Sequence, residues 1–175
     1  SHTHADHVGA LTQILRHNTV QIEQIYGSIL PIDTVAKYAL GPSGQQEIQT
    51  WHAFHAALSR VNAQVTEVDT GQVIQVDNVR IEILGKKNPE LTRNLVNNSS
   101  VVMRVSDGSK SILFTGDLGS RGGQKLLNTR FARLLPSDYV QMSHHGQNGV
   151  DQAFYERVNP KYCLWPTPLP IWELP

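Results

Sequence analysis

Four metal-capable side chains crowd the first seven residues of this chain, Ser1-His2-Thr3-His4-Ala5-Asp6-His7, in the pattern His-x-His-x-Asp-His. Residues two apart in an extended segment project to the same side. We therefore expect His2, His4 and Asp6 to converge on one point, and His7 to face a neighbouring one. Imidazole and carboxylate together suit Zn²⁺ or a similar divalent metal. The fold must therefore bring these four side chains together at a metal site.

Chain length and charge limit the number of domains and the kinds of binding partner. The 175 residues predict a single domain over 1–175 with room for a core. Lys+Arg and Asp+Glu are balanced at 15 each, so no overall electric field favours a nucleic acid or a membrane surface. Nucleic acid remains a possible partner only through a local patch or through the metal. No apolar run approaches the roughly 20 residues that a membrane helix needs.

The single cysteine, Cys163, excludes an internal disulfide framework. Its Tyr-Cys-Leu-Trp setting predicts a buried thiol on a strand. One unpaired cysteine does not decide the redox compartment, so the localisation of the protein stays open.

Hydrophobic periodicity predicts alternating helices and strands, and hence an α/β (or α+β) protein with layered packing. Asp6 and His7 are expected at the start of a helix that ends at Asn18. The predicted helices after it cover about 44–61, 124–135 and 150–157. The predicted strands cover 20–26, 73–76, 79–83, 101–105, 111–115, 138–142 and 162–165. Turns at Asp77-Asn78 and Asp107-Gly108 predict two β-hairpins among them. A Pro-rich tail, 166–175, follows.

Two smaller clusters allow more than one interpretation. His52 and His55 lie three apart on the second helix and could bind a metal, although a solvated or groove-lining helix face is the preferred interpretation. Lys86, Lys87 and Arg93 form a basic cluster in the loop after residue 84. They could steer an anionic substrate or belong to an ordinary surface loop.

Two further groups of metal-type ligands follow predicted strands. Asp117 comes after Ile112-Leu113-Phe114-Thr115 at a Gly116-Asp117 corner, where glycine permits close backbone approach. His144-His145-Gly146 follows the strand at 138–142. Side chains at strand ends can reach a common site outside a sheet, so we expect these residues to meet the first motif.

Together these motifs resemble those of the metallo-β-lactamase superfamily. The run Asn98 to Arg104, followed by the Gly-Asp and His-His-Gly motifs, is most similar to the branch that contains the hydrolase domain of ComEC-like DNA-uptake proteins and phosphorylcholine esterase relatives. The resemblance covers residues 1 to about 150. It implies an αββα four-layer sandwich with a dinuclear metal site along one edge of its two sheets.

The resemblance also implies roles for individual residues. His2 and His4 would bind a first divalent ion, Asp6 and His7 a second, and Asp117 would bridge both. One of His144 and His145 would complete the second position, with His145 preferred as the ligand and His144 left to contact the substrate. Zinc is the expected metal and manganese the alternative. Asp6 and His144 are the expected catalytic residues.

Such a site predicts hydrolysis by a hydroxide that two metal ions activate, since paired cations lower the pKa of a bound water and neutralise developing charge. A small anionic substrate, a phosphoester or a phosphodiester, is expected. The alternatives are a thioester, lactone or β-lactam hydrolase on the same site, or a non-catalytic, metal-stabilised binding module.

Three departures from the family pattern stand out. Val96-Asn97-Asn98 occupies the region where many members place a third histidine for the first metal, so an asparagine or water is expected to serve there. Gln147 replaces the serine usual after His-His-Gly in the ComEC-like branch. The family's N-terminal strands, which would precede residue 1, are not in this sequence. We therefore expect a longer native protein, and an exposed sheet edge and apolar face in this part of it.

Overall fold

The computed structural model describes residues 1–18 and 20–172. The first part of the chain contains three helices and a small two-stranded sheet. The helices are α1 (Ala5–His17), α2 (Ile32–Tyr38) and α3 (Gly41–Arg60), and the strands are β1 (Ile25–Gly27) and β2 (Val65–Glu67). The two strands pair in parallel. The strand predicted at 20–26 is shorter and begins later than expected, and α2 lies in a stretch where no helix or strand was predicted.

The second part of the chain forms a six-stranded sheet in the order β3-β4-β5-β6-β7-β8. Its strands are β3 (Val73–Val76), β4 (Val79–Gly85), β5 (Val102–Ser106), β6 (Ser111–Phe114), β7 (Tyr139–Gln141) and β8 (Tyr162–Leu164). Each strand from β3 through β5 pairs antiparallel with the next one in the order. The β6-β7 and β7-β8 pairs are parallel. Both predicted hairpins, with turns at Asp77-Asn78 and Asp107-Gly108, are confirmed.

Helices cover one face of this sheet. They are α5 (Ser120–Leu127) and α6 (Gln152–Val158), with a 3₁₀ turn at Arg130–Leu134; a short helix, α4 (Leu95–Asn98), precedes β5. Leu113 and Val140 on the sheet are fully buried against Leu126, Phe154 and their neighbours. The predicted helix at 124–135 is wrong in its position, because the helix begins at Ser120 and ends before Thr129. There the Thr129 hydroxyl accepts from the Phe131 N–H and starts the 3₁₀ turn instead.

The opposite face carries a row of apolar residues that runs across all six strands. Neighbours in the row are cross-strand partners: Ile74, Ile81, Val105, Ile112, Tyr139 and Tyr162. Val68, which follows β2, covers the end of this face near Ile83 and Met103. Tyr162 and Leu164 on the outer strand are 59% and 44% exposed, so the exposed edge and apolar face expected from the sequence are present.

One prediction about the end of the chain needs correction. Cys163 is exposed rather than buried, because β8 pairs only on its β7 side in the described part of the chain. Within the Pro-rich tail, Leu169–Trp172 forms a helical turn. Residues 173–175 of the tail lie outside the described residues. Among the residues described, no helix is both long enough and apolar enough to cross a bilayer.

Candidate dinuclear metal centre

The first motif straddles the start of a helix. His2 and His4 lie in the extended segment, whereas Asp6 and His7 belong to the first turn of α1. The helix ends at Asn18, whose φ of 49° is the left-handed conformation of a helix cap, as predicted. The expectation that Asp6 converges with His2 and His4 is wrong, because the alternation of an extended chain stops where the helix begins.

The motif reaches the large sheet through a close backbone approach at Gly116. The Val101 N–H donates to the carbonyl oxygen of Ser1 over 3.1 Å. Gly116 has a φ of 56°, and a Cβ atom there would lie 2.8 Å from the hydroxyl oxygen of Ser100 and 2.9 Å from the Cβ of Ser1. Glycine is thus required both for the backbone conformation and for the space, which confirms the role expected for it.

Asp117 stands at the middle of the assembled site. Its side chain is 2% exposed, and its backbone N–H donates to the Ser100 hydroxyl over 3.0 Å. Carboxylate oxygen Oδ1 lies 3.1 Å from Nε2 of His7. The other oxygen, Oδ2, lies 3.7 Å from Nε2 of His2 and 3.6 Å from Nε2 of His145. One carboxylate therefore faces imidazoles from three directions.

Two groups of potential metal donors share this carboxylate. The first contains His2, His4 and Asp117, and the second contains Asp6, His7, Asp117 and His145. Within each group, one donor atom from every residue lies within 4.8 Å of the others. The two groups divide the residues as the family resemblance implied for two metal positions, and Asp117 is common to both.

The two histidines after β7 take different places. Both have positive φ angles, 50° for His144 and 57° for His145, a strained conformation for such side chains. His145 belongs to the second donor group, where its Nε2 lies 3.0 Å from Oδ2 of Asp6. His144 belongs to neither group, and its Nε2 is 4.0 Å from Oδ2 of Asp117. The geometry therefore favours His145 as a ligand.

Each of the four imidazoles in the two groups has an outer nitrogen that contacts a polar atom away from the centre. The partners are the Ser100 hydroxyl for His2 at 3.1 Å, Glu47 for His4 at 3.2 Å, the Ser1 hydroxyl for His7 at 3.0 Å and the Pro166 carbonyl for His145 at 2.8 Å. A proton on the outer nitrogen leaves the inner one with a free lone pair. Such outer partners are typical of metal-binding histidines.

Electrostatics favour the protonation states that metal binding requires at His2 and Asp117, and oppose them at His145. Burial and the neighbouring His7 and His4 lower the pKa of His2, which keeps its imidazole neutral. Burial opposes ionisation of Asp117, but His7 and His145 outweigh it and hold its pKa below 3.8. The pKa of His145 is raised despite burial, because the Pro166 carbonyl and the two nearby carboxylates stabilise its protonated form. The centre thus offers an ionised bridging carboxylate and a neutral imidazole at His2.

Unpartnered buried atoms show that the residues fit a cation. Nε2 of His7 and Oδ1 of Asp117 lie 3.1 Å apart, yet each is buried without a hydrogen-bond partner. Oδ1 of Asn97 is buried and unpartnered as well. A buried polar atom that lacks a partner is costly, and a divalent ion would satisfy nitrogen and oxygen donors of this kind.

Neither of the smaller clusters from the sequence joins this centre. His55 stacks on Trp51 with ring centroids 3.6 Å apart, and among the described residues no third His, Cys, Asp or Glu converges with His52 and His55. The ammonium groups of Lys86 and Lys87 are paired with carboxylates, at 2.5 Å from Asp69 and 2.7 Å from Glu67. This pairing favours the surface-loop interpretation over substrate steering.

Sequence reasoning missed the outer partners of the imidazoles. Glu47 is 43 positions from His4 and lies on α3, so no local pattern connects the two. Ser100 lies within the run that marks the family resemblance, yet its contact with His2 depends on the fold. Pro166 lies in the predicted tail, where nothing in the sequence links its carbonyl to His145.

A family model described as "Metallo-beta-lactamase superfamily" matches residues 1–156. This chain belongs to the metallo-β-lactamase superfamily. The match confirms the predicted fold class and the family resemblance. Members of this superfamily are generally hydrolases and usually bind divalent metals.

Curated relatives with sequence similarity include ComE operon protein 3 of Bacillus subtilis, 26% identical over 165 residues, which is 94% of this chain and 19% of that protein. Competence protein ComA of Neisseria gonorrhoeae is 33% identical over 92 residues, 51% of this chain and 13% of that protein. The chain therefore spans about a fifth or less of the length of the curated relatives that it matches.

Two solved structures align with this chain at low sequence identity. A CmlA beta-hydroxylase mutant aligns with a TM-score of 0.53 and 14% identity, over 93% of this chain and 34% of that one. YhfI from Bacillus subtilis, described as a metallo-beta-lactamase fold protein, aligns with a TM-score of 0.46 and 12% identity, over 93% of this chain and 60% of that one. At 14% identity the first likeness concerns the fold alone.

Proposed function

We propose that this domain is a metal-dependent hydrolase that holds two divalent ions, zinc or manganese, and cleaves a phosphoester or phosphodiester. The observation that carries the proposal is the position of Asp117, a buried carboxylate shared by two donor groups. His2 and His4 would hold one ion, and Asp6, His7 and His145 the other. Two ions so placed would lower the pKa of a water and neutralise charge on a phosphoryl oxygen.

Two residues, His144 outside the ligand set and Asp6 within it, would then handle protons and substrate. His144 presents Nε2 near Asp117, with its side chain 29% exposed, and is placed to donate a proton to the leaving group or to bind an anionic oxygen. The Asp6 carboxylate is 58% exposed and lies 3.0 Å from His145. In addition to binding a metal ion, it can accept a proton from the reacting centre.

A cavity beside the first donor group offers room for a substrate. It has a volume of about 200 Å³ and is lined by His4, Glu47, Asn97 and residues of α2. Ligand sites commonly measure about 300–1,000 Å³, so this cavity suits one small group such as a phosphoryl group with its nearest substituent. The larger part of a substrate would remain outside.

A substrate panel tests the proposal. Protein freed of metal by a chelator and then loaded with Zn²⁺ or Mn²⁺ would be assayed on a phosphomonoester, a phosphodiester, a thioester, a lactone and a β-lactam. We expect turnover of the phosphorus esters. Cleavage of only the carbonyl substrates would favour the alternative thioester, lactone or β-lactam hydrolase. Fewer than about one bound ion per chain, with no turnover on any substrate, would identify a binding module.

A polynucleotide belongs in this panel because of the likeness to a protein named as a competence protein. The equal numbers of acidic and basic residues give nucleic acid no independent support. If the domain binds a polynucleotide through phosphates, its affinity should fall steeply as salt rises. An affinity that does not change with salt would argue against that substrate.

A further inference from the structure

The two donor groups are unequal in the number of ligands. The second contains four residues, whereas the first contains only His2, His4 and Asp117. Catalytic zinc positions usually have three protein ligands besides water, and in the first group one of the three is shared with the other position. The first position would therefore hold its ion more weakly unless another side chain contributes.

Asn97 lies where such a contribution would come from. It belongs to α4 and is 9% exposed. It lines the same cavity as His4. Its Nδ2 lies 3.4 Å from Nε2 of His144, while its Oδ1 is buried without a partner. The amide is thus held at the centre with its acceptor atom unused.

The neighbouring asparagine, Asn98, does not share this unpartnered side-chain oxygen. Asn98 is also buried, but both ends of its amide are engaged: Nδ2 donates to the Arg93 carbonyl over 2.9 Å, and Oδ1 accepts from the Gly122 N–H over 3.1 Å. Asn98 therefore fixes the loop. Asn97, on the same turn, leaves one acceptor without a structural role.

We propose that Asn97 supplies its side-chain oxygen as an additional ligand at the first metal position. This inference rests on the proposed two-metal centre and adds a residue to it. An amide oxygen is a hard ligand, and hard oxygen ligands suit Mn²⁺ better than imidazole or thiolate ligands do. The first position would consequently discriminate less strongly in favour of zinc than the His-rich motif alone indicates.

Metal binding tests this without reference to turnover. The metal-free chain would be titrated with Mn²⁺ and separately with Zn²⁺ by calorimetry, and Mn²⁺ binding would be followed in parallel by electron paramagnetic resonance. We expect two equivalents in the unsubstituted protein. Asn97→Leu, similar in volume but without a donor, should weaken one Mn²⁺ equivalent by at least about tenfold, the effect seen even for outer-shell partners of metal ligands, and leave the other unchanged. Asn97→Asp, which keeps an oxygen, should retain both.

Asn94→Gly provides a matched control. Asn94 lines the same cavity, and its φ of 51° is one that glycine adopts without strain. We expect this variant to bind both equivalents as the unsubstituted protein does. Melting temperatures of the metal-free variants would show whether each is folded, and Asn97→Ala, which also removes the donor, serves as the ligand test should Asn97→Leu fail to fold.

The possible outcomes separate this inference from the proposed function. If Asn97→Leu binds two Mn²⁺ equivalents with unchanged affinity, Asn97 is not a ligand, and the proposed hydrolase function is unaffected. A single equivalent in the unsubstituted protein would overturn the role of Asn97 as well. Selective loss of one equivalent in Asn97→Leu would support it, even if the unsubstituted protein hydrolysed none of the esters in the panel.

Discussion

Nε2 of His4 lies 3.2 Å from Oε1 of Glu47, so a residue of α3 fixes the ring orientation of a histidine in the first motif. With the proton on Nε2, Nδ1 faces Nε2 of His2 over 3.0 Å. A carboxylate behind a histidine holds the tautomer and increases the basicity of the other nitrogen. This contact therefore connects the helical layer to the metal centre.

Replacing Glu47 should weaken metal binding at the first position. We expect Glu47→Ala to lower affinity for one of two ions by about 10–100-fold, since outer partners of ligating histidines have effects of this size. Isothermal titration of metal into the metal-free variant measures the affinity for each ion. Gln45→Ala, an exposed change on the same helix, is the control, and equal affinities in both variants would contradict the prediction.

Asp117→Asn should abolish turnover and reduce metal content. The amide keeps the shape but loses the negative charge shared by both donor groups, so neither position retains its bridging anion. Metal content by mass spectrometry and activity on the best substrate of the panel would be measured together. Asp77→Asn serves as the control, because Asp77 sits in a hairpin turn with a φ of 51° that asparagine adopts readily. Retained activity in Asp117→Asn would eliminate Asp117 as the bridging ligand.

His144→Gln should separate chemistry from metal binding. Because His144 lies outside both donor groups, the variant is expected to bind the same number of ions while its kcat falls by about 10²–10⁴-fold, the usual contribution of a general acid or base. His145→Gln should instead lower metal content. The opposite assignment, with metal lost in the His144 variant, would exchange the roles of the two histidines.

Metal affinity at the second position should fall as pH is lowered. The pKa of His145 in the metal-free protein is raised above 6.5, and a protonated imidazole cannot bind a metal ion, so each pH unit below that pKa weakens binding about tenfold. Zn²⁺ titrations between pH 8 and pH 6 test this. His145→Gln should bind more weakly with a shallower pH dependence, whereas His17→Gln, at the exposed end of α1, should behave as the unsubstituted protein.

The same raised pKa acts in the opposite direction on the stability of the metal-free protein. A group whose folded pKa exceeds its unfolded value contributes stability that is fully present below the unfolded pKa and is lost as pH rises through the folded one. The urea midpoint of the metal-free chain should therefore lose the His145 contribution as pH rises through the raised pKa of this imidazole. No difference between the unsubstituted protein and His145→Gln in that pH dependence would count against the raised pKa of His145.

Gly116→Ala should destabilise the fold and disturb the centre. The substitution places a methyl group on a residue with a φ of 56° and within 2.8 Å of the Ser100 hydroxyl. Strain of this kind costs about 1–3 kcal/mol in the free energy of unfolding, and the displaced Ser100 would also release His2 and Asp117. Gly108→Ala has a positive φ but open space around it, so it should cost stability without changing metal affinity.

The sequence by itself determined the chemistry of the centre. His2, His4, Asp6, His7, Asp117 and the histidine pair at 144 and 145 were all identified as candidates from their residue types and their positions beside strands. The helix stop at Asn18 and both hairpins were also predictable, because capping and turn chemistry act over a few residues.

Only the tertiary structure decided how these side chains are divided. Asp6 joins His7 rather than His2 because α1 starts at Ala5, between His2 and Asp6. His145 enters a donor group and His144 does not, although both follow β7 in left-handed conformations. The orienting contacts of Glu47, Ser100 and Pro166 join residues far apart in the chain. Local sequence patterns record periodicity within one element, whereas ligand geometry depends on how separate elements pack, and so the metal-capable residues could be read from the sequence but their arrangement could not.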